Sequence, residues 1–362
     1  MCGEARPSWE RAIPSRALCD ITNTGGLGDR GKPIVDAVKA QVGVSRSGSL
    51  LKPSAHALGG SRSLATCSTS FCSGSASSTA AGTGTSASTM DIEDEDVRME
   101  DDDPQAVNEY AYDIYRNLSQ AEAASQPRTD FMKFQPDVNQ KMRAILVDWL
   151  VEIHTKYKLK TETLFLAVNL VDRFLEVKQV PRQRFQLCGI TAMLIAAKFE
   201  EIYPPEVQDF AYIADNAYTK DDILDMEVAM LTKLKFLLSV PTAAHFIERY
   251  SRISGCTADQ HRHLMQYLLE LSLPEYKMAR YPQSQLAAAA VYLSNKLVKK
   301  QPAWTAALIF QTQMTESMVK GCARDMCGVL EAARDREERC QLRAVRRKFS
   351  HRKFSEVSRW SF

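Results

Sequence analysis

Six histidines, nine cysteines and a cluster of glutamates are the groups in this chain that could do chemistry. The histidines (His56, His154, His245, His261, His263 and His351) form no HExxH pattern and no ligand set with cysteine. His261 and His263 are the one close pair. Glu200 and Glu201 are adjacent, so on a helix they point about 100° apart and cannot share a proton or a metal. Glu206 stands a few residues on. No two cysteines make CxxC, and an odd count over a long chain is no disulfide framework, which fits a reducing compartment. The Gly-Thr-Gly at Gly82–Gly84 lacks a following strand–helix unit, and there is no P-loop, GxSxG or kinase signature. No catalytic residue, metal site or cofactor is expected.

The informative charges lie inside apolar stretches. Gln140–Lys156 reads as a helix that is apolar nearly all round. One stripe carries Met142, Ile145, Leu146, Trp149 and Ile153; the opposite face carries Ala144, Val147, Leu150 and Val151. Two arrangements satisfy this: a central helix covered on both sides, or one stripe left as a patch for a partner. Arg143 and Asp148 sit within it and need partners. Asp172, inside Leu170–Leu175, can serve Arg143. Lys198 closes the apolar run Gly189–Ala197, and Glu227 shares a stripe with Ile223, Met230, Leu231 and Leu234. Either Lys198 and Glu227 pair with each other, or the Lys snorkels and the Glu lies at a solvent edge. A pair at the rim could point both groups at a partner's backbone.

The elements that carry these charges read as all-α. From Ala106 onward, amphipathic segments with helical spacing alternate with breaks at Pro127, Pro136-Asp137, Thr161, Pro181, Pro204-Pro205, Thr219, Pro241, Gly255, Pro282 and Pro302. Ala106–Leu118 is the first helix, and Thr219 caps a later one with acids in its first turn. A shift of 98 residues lays Thr191–Phe199 on Ala289–Leu297, and Leu170–Leu175 on Leu268–Leu273. Two segments at one offset imply a duplicated helical unit of about 100 residues. Of the 4 Trp, 12 Tyr and 14 Phe in the 362 residues, only Trp9 and Phe71 precede residue 106. The first hundred residues therefore cannot build a core. They end in the acidic run Asp91–Asp103, which reads as a solvated linker. No signal segment or membrane span is expected. A net charge of +2 argues against nucleic-acid binding by bulk charge.

Six motifs in one order carry a family resemblance. Met142-Arg-Ala-Ile-Leu-Val-Asp-Trp149-Leu resembles the opening signature of the cyclin box in mitotic A- and B-type cyclins. Thr161-Glu-Thr-Leu-Phe-Leu, Asp172-Arg-Phe-Leu, Gln186-Leu-x-Gly, Ala197-Lys-Phe-Glu-Glu-Ile-Tyr-Pro-Pro-Glu206 and Asp225-Met-Glu227 continue the likeness. His154-Thr-Lys-Tyr and the C-terminal Lys348-Phe-Ser and Lys353-Phe-Ser-Glu-Val-Ser are closer to B-type than to A-type cyclins. The resemblance covers residues 105 to 355.

It implies two tandem five-helix cyclin folds: a regulatory tail over 1–104, a first box with its N-terminal helix over 105–240, a second fold over 241–345, and a basic tail over 346–362. It implies a non-catalytic regulatory subunit that activates a cyclin-dependent kinase and drives the G2/M transition, in nucleus and cytoplasm. Lys198 and Glu227 match a pair on the kinase-facing surface, with Ile195, Phe199, Leu231 and Phe236 as apolar neighbours. Met142, Ile145, Leu146 and Trp149, with Glu152 and Gln186, match a docking groove for Arg-x-Leu motifs, so the two-faced helix is expected to be central and exposed at once. Arg143 and Asp172 match a structural pair. Family tails carry a destruction box read by the anaphase-promoting ubiquitin ligase. Here Arg16, Leu18, Asp20 and Asn23 fit it with the arginine one position late, since Ser15 stands where it belongs. The rival readings are a transcriptional cyclin and a DNA-binding transcription factor of cyclin fold, for which the basic stretch Arg334–Lys353 would speak. No zinc ribbon accompanies that stretch, which reads as a solvated helix end or a nuclear signal, and the residues beyond Arg334 read as a tail or a docked helix.

Overall fold

The computed structural model describes residues 107–256, 258–335 and 342–360, all within one compact unit. Among these residues every regular element is a helix. A leading helix α1 (Ala111–Ser125) precedes a first set of five: α2 (Gln140–Tyr157), α3 (Thr161–Val177), α4 (Phe185–Glu200), α5 (Val207–Ile213) and α6 (Lys220–Lys233). A second set follows: α7 (Ala243–Ile253), α8 (Asp259–Ser272), α9 (Gln283–Leu297), α10 (Ala306–Thr312) and α11 (Glu316–Asp335). A short α12 (Ala344–Phe349) comes last. This is the expected pair of five-helix units. The first helix differs in extent: it starts after a 3-10 turn at Asn108–Tyr110 and runs to Ser125.

The sequence repeat is a structural repeat. α3 begins at Thr161 and α8 at Asp259; α4 begins at Phe185 and α9 at Gln283. Both steps are 98 residues. Local chemistry sets the ends. The Asn139 side chain accepts the Met142 N–H at 3.0 Å and caps α2. Thr219 and Asp222 cap α6 reciprocally, at 3.1 and 3.0 Å.

α4 and α9 are the centres of the two units. Every residue of α4 from Phe185 to Ala197 is buried, as is Leu286–Asn295 of α9. Gly189 has a packing reason. A Cβ there would lie 2.7 Å from Leu146 Cδ1, so only a bare backbone lets α2 approach this closely.

The two units are stitched together by hydrogen bonds. Gln266 on α8 donates to Thr161 Oγ1 at 2.8 Å. Tyr276 donates to the Thr129 carbonyl at 2.8 Å. Glu122 on α1 accepts the Ser284 N–H at 2.9 Å and thereby holds the start of α9. Tyr115 on α1 donates to the His245 carbonyl at 3.1 Å.

Of the two readings for the residues beyond Arg334, a tail or a docked helix, α12 is a docked helix. Asp148 on α2 accepts the Arg343 N–H at 3.2 Å and the Ala344 N–H at 3.0 Å, so a buried acid holds the start of α12. Phe349 is fully buried, with its ring 5.3 Å from Tyr267 on α8 and 4.9 Å from Phe354. Lys348 is buried and meets Glu270 of α8 at 2.5 Å. Apolar burial and two acids facing the segment, Asp148 and Glu270, hold it down.

Candidate functional site

The groups that could suggest catalysis are used in structure. Glu201 accepts the Lys160 N–H and the Thr163 hydroxyl, both at 2.6 Å, and so holds the start of α3. Glu206 opens α5 in a reciprocal cap with Asp209. His261 meets Ser294 at 3.1 Å while His263 meets Ser355 at 3.0 Å, so these two do not converge. Buried His154 donates from Nε2 to the Lys160 carbonyl at 3.1 Å, and burial pulls its pKa down to about 3, so it stays neutral. Among the described residues no three His, Cys, Asp or Glu side chains gather as a metal site. No helix among them is long and apolar enough to cross a membrane.

Lys198 and Glu227 meet as one of the two arrangements required. Lys198 Nζ lies 2.9 Å from both Glu227 oxygens. The Lys side chain is 45% exposed and the Glu 13%, which places the pair at a rim. α4 delivers the lysine at the end of its buried run, and α6, packed against α4, delivers the glutamate one helical turn before Leu231. Large apolar side chains flank the pair. Phe199 follows Lys198 and Val228 follows Glu227, and both are exposed. Beyond α6, Phe236 is 67% exposed and Leu237 is also open. Lys235 and Phe236 both hold positive φ, +54° and +55°, which for a bulky Phe is a strained conformation. The Phe236 N–H donates to Leu231 O at 3.0 Å, and Arg173 holds the Leu237 carbonyl at 2.8 Å. Local bonds thus hold an aromatic ring out in water.

The family resemblance named Ile195, Phe199, Leu231 and Phe236 for this face. Leu231 is half-buried, and Ile195 faces inward and is covered. It missed Val228, Leu237, Ile202 and Tyr203, the last 92% exposed. The signal was present as large apolar residues directly after Lys198 and Glu227, but periodicity alone does not say which side is wet.

The α2 stripe is more covered than expected. Met142, Leu146 and Trp149 are buried, as is Gln186 of α4. Ile145 is half-buried, and Glu152 keeps 17% of its side chain exposed. Of the helix expected to be central and exposed at once, the centre is seen, while the exposed part is confined to half-buried Ile145 and Glu152. α4 lies against Leu146 at Gly189, and α12 runs beside α2 between Asp148 and Glu152. The Trp149 indole N–H is buried with no hydrogen-bond partner. Such a donor costs roughly 1–3 kcal/mol and offers a bond to any acceptor that reaches it. Burial raises the Glu152 pKa, and Arg347, 2.9 Å away, opposes the rise.

Arg143 and Asp172 form a two-pronged buried pair, both bonds 2.6 Å. Arg143 also donates to the Leu273 carbonyl at 2.9 Å and the Pro274 carbonyl at 3.3 Å, so one side chain ties α2 and α3 to the end of α8. The repeat extends to this acid: 98 residues after Asp172 stands Glu270. The place of Arg143 is taken by Pro241, and the cation comes instead from Lys348 on α12.

Two family models match this chain: the cyclin N-terminal domain over residues 113–239 and the cyclin C-terminal domain over 241–362. The G2/mitotic-specific cyclin-B of Marthasterias glacialis is 42% identical over 265 residues, covering 73% of this chain and 67% of that protein.

The chain belongs to the cyclin family.

The second model's reach to residue 362 agrees with a C-terminal segment that is part of the fold. The cyclin is also 39% identical to the cyclin-B of Dictyostelium discoideum, over 71% of this chain and 58% of the relative. It is 40% identical to Cyclin-A1-1 of Oryza sativa subsp. japonica, over 73% and 52%. It thus spans about half to two-thirds of these relatives' lengths. The viral cyclin of herpesvirus saimiri shares the fold, with a TM-score of 0.54 at 19% identity over 60% of this chain and 97% of that one. The B-type resemblance agrees with the names of the Marthasterias and Dictyostelium relatives.

Proposed function

We propose that this cyclin is the non-catalytic regulatory subunit of a cyclin-dependent Ser/Thr kinase that drives the G2/M transition. The observation that carries the reading is the Lys198–Glu227 pair at the rim, flanked by exposed Phe199, Val228 and Phe236. Large apolar side chains held in water around a fixed charge pair suit a partner helix that buries the former and caps its backbone on the latter. A free kinase of this type holds its C-helix swung out, with its Lys–Glu pair and metal-binding Asp misaligned. The cyclin shifts that equilibrium by binding the active arrangement more tightly, and this face supplies the difference.

The α2 face serves to dock substrates and inhibitors with Arg-x-Leu motifs. Glu152 offers a partly desolvated carboxylate to the cation, and half-buried Ile145 offers an apolar contact beside it. The N-terminal tail, with Arg16, Leu18, Asp20 and Asn23, times destruction by the anaphase-promoting ubiquitin ligase; it lies outside the described residues. The complex works in nucleus and cytoplasm.

Lys198→Ala tests the main reading. The variant is expected to weaken kinase capture at least tenfold and to lower histone phosphorylation by the purified pair. Normal affinity and normal activity would overturn the mechanism.

A further inference from the structure

The docking acid is not vacant. Arg347 on α12 places Nη1 2.9 Å from Glu152 Oε1. The acid is tucked in, with 17% of its side chain exposed, whereas the arginine stands 60% exposed. A pair of this kind is reachable and breakable from solvent.

We infer that Arg347 is a specificity-determining residue of the docking face: its guanidinium occupies the Glu152 carboxylate that the arginine of an incoming Arg-x-Leu peptide would take. The inference rests on the docking reading of the α2 face.

Three features carry it. The first is delivery. α12 is anchored by contacts that do not use Arg347: the Asp148 carboxylate on the Arg343 and Ala344 N–H groups, the Lys348–Glu270 pair, and buried Phe349. Arg347 is therefore held beside Glu152 at high effective concentration, and a peptide must displace one side chain without lifting the helix. The second is accessibility. Met142, Leu146 and Trp149 are buried, so half-buried Ile145 and Glu152 are the reachable parts of the stripe, and the charge carries a larger share of recognition. The third is spacing. Arg347-Lys348-Phe349 sets a cation two residues before an apolar side chain, as an Arg-x-Leu ligand does. Phe349 goes to Tyr267 on α8 rather than along α2, so α12 mimics only the charged half of such a ligand. The face then discriminates against motifs whose one strong feature is a positive charge and favours those that add apolar contacts.

The test is fluorescence anisotropy with a labelled Arg-x-Leu peptide on the full chain. Arg347→Ala is expected to bind about fivefold tighter than the parent, the factor expected for releasing a solvent-reachable ion pair. Arg347→Lys, which keeps the cation, should stay within about twofold of the parent. Glu152→Ala should weaken binding and abolish the gain when combined with Arg347→Ala. Equal affinity of parent and Arg347→Ala, with Glu152→Ala still weakening both, would overturn the role of Arg347 and leave docking intact. Failure of Glu152→Ala to change binding, or no peptide binding to any variant, would overturn the docking reading and this inference with it.

Discussion

Arg143 joins the two five-helix units, and its removal should be felt throughout the fold. Arg143→Met leaves the Asp172 carboxylate buried with no cation. Stranding a buried charge in this way costs about 3–5 kcal/mol, a large part of a typical stability of ~5–15 kcal/mol. Asp172→Leu strands the guanidinium, which keeps only the Leu273 and Pro274 carbonyls, at a similar cost. The double variant strands neither charge. It loses the two carbonyl bonds at about 1 kcal/mol each, so it should be milder than either single change. Urea unfolding of the full chain, followed by circular dichroism, reads all four proteins, and a constant m-value confirms that stability alone has changed. The reasoning fails if either single variant costs less than about 1 kcal/mol, or if the double costs as much as the two singles added.

The same approach extends to two other places. Gly189→Ala should cost about 1–3 kcal/mol, because Leu146 is fully buried and cannot move away from a Cβ at 2.7 Å; an unchanged urea midpoint would mean that α2 and α4 can separate freely. Acid stability should show two opposed contributions. His154, lowered to about 3 from 6.5, contributes stability that is present above about 6.5 and lost as the pH falls toward 3. Asp148, raised to about 6 from 3.8 by burial, acts with the other sign, costing stability as the pH rises from 3.8 through 6. Between about pH 7 and pH 5 the parent should therefore lose ~2 kcal/mol through His154 and recover ~1 kcal/mol through Asp148. His154→Gln should flatten the loss and Asp148→Asn should steepen it; parallel slopes for all three proteins would refute both assignments.

Much of the architecture was legible because helices are local. Spacing of apolar residues and breaks at Pro, Gly and Thr place the helices, and the 98-residue offset found in the text of the chain is the offset between α3 and α8 and between α4 and α9. Charges inside apolar stretches were legible too. Arg143 and Asp172 could not stand alone in a core, so that pair followed from the cost of burial; for Lys198 and Glu227 a snorkelling lysine and a solvent-edge glutamate stayed equally open until the structure placed them together at a rim.

Asp148 marks where that logic ends. It needed a partner as much as Arg143 did, yet its partner is the backbone at Arg343 and Ala344, 195 and 196 residues on. No local pattern points to a backbone N–H, since every residue but proline has one. The open face of α2 was likewise undecided by its own sequence, because a helix apolar on all sides is compatible with either stripe being wet. Packing decided it: Gly189 admits Leu146, and α12 closes on the flank. By itself the sequence determined the helices, their duplication and which charges must be neutralised, for these depend on near neighbours and on the energy of burying charge. The tertiary structure alone decided which surfaces stay wet and that the basic C-terminus lies on α2 and α8, for those depend on how two finished units meet.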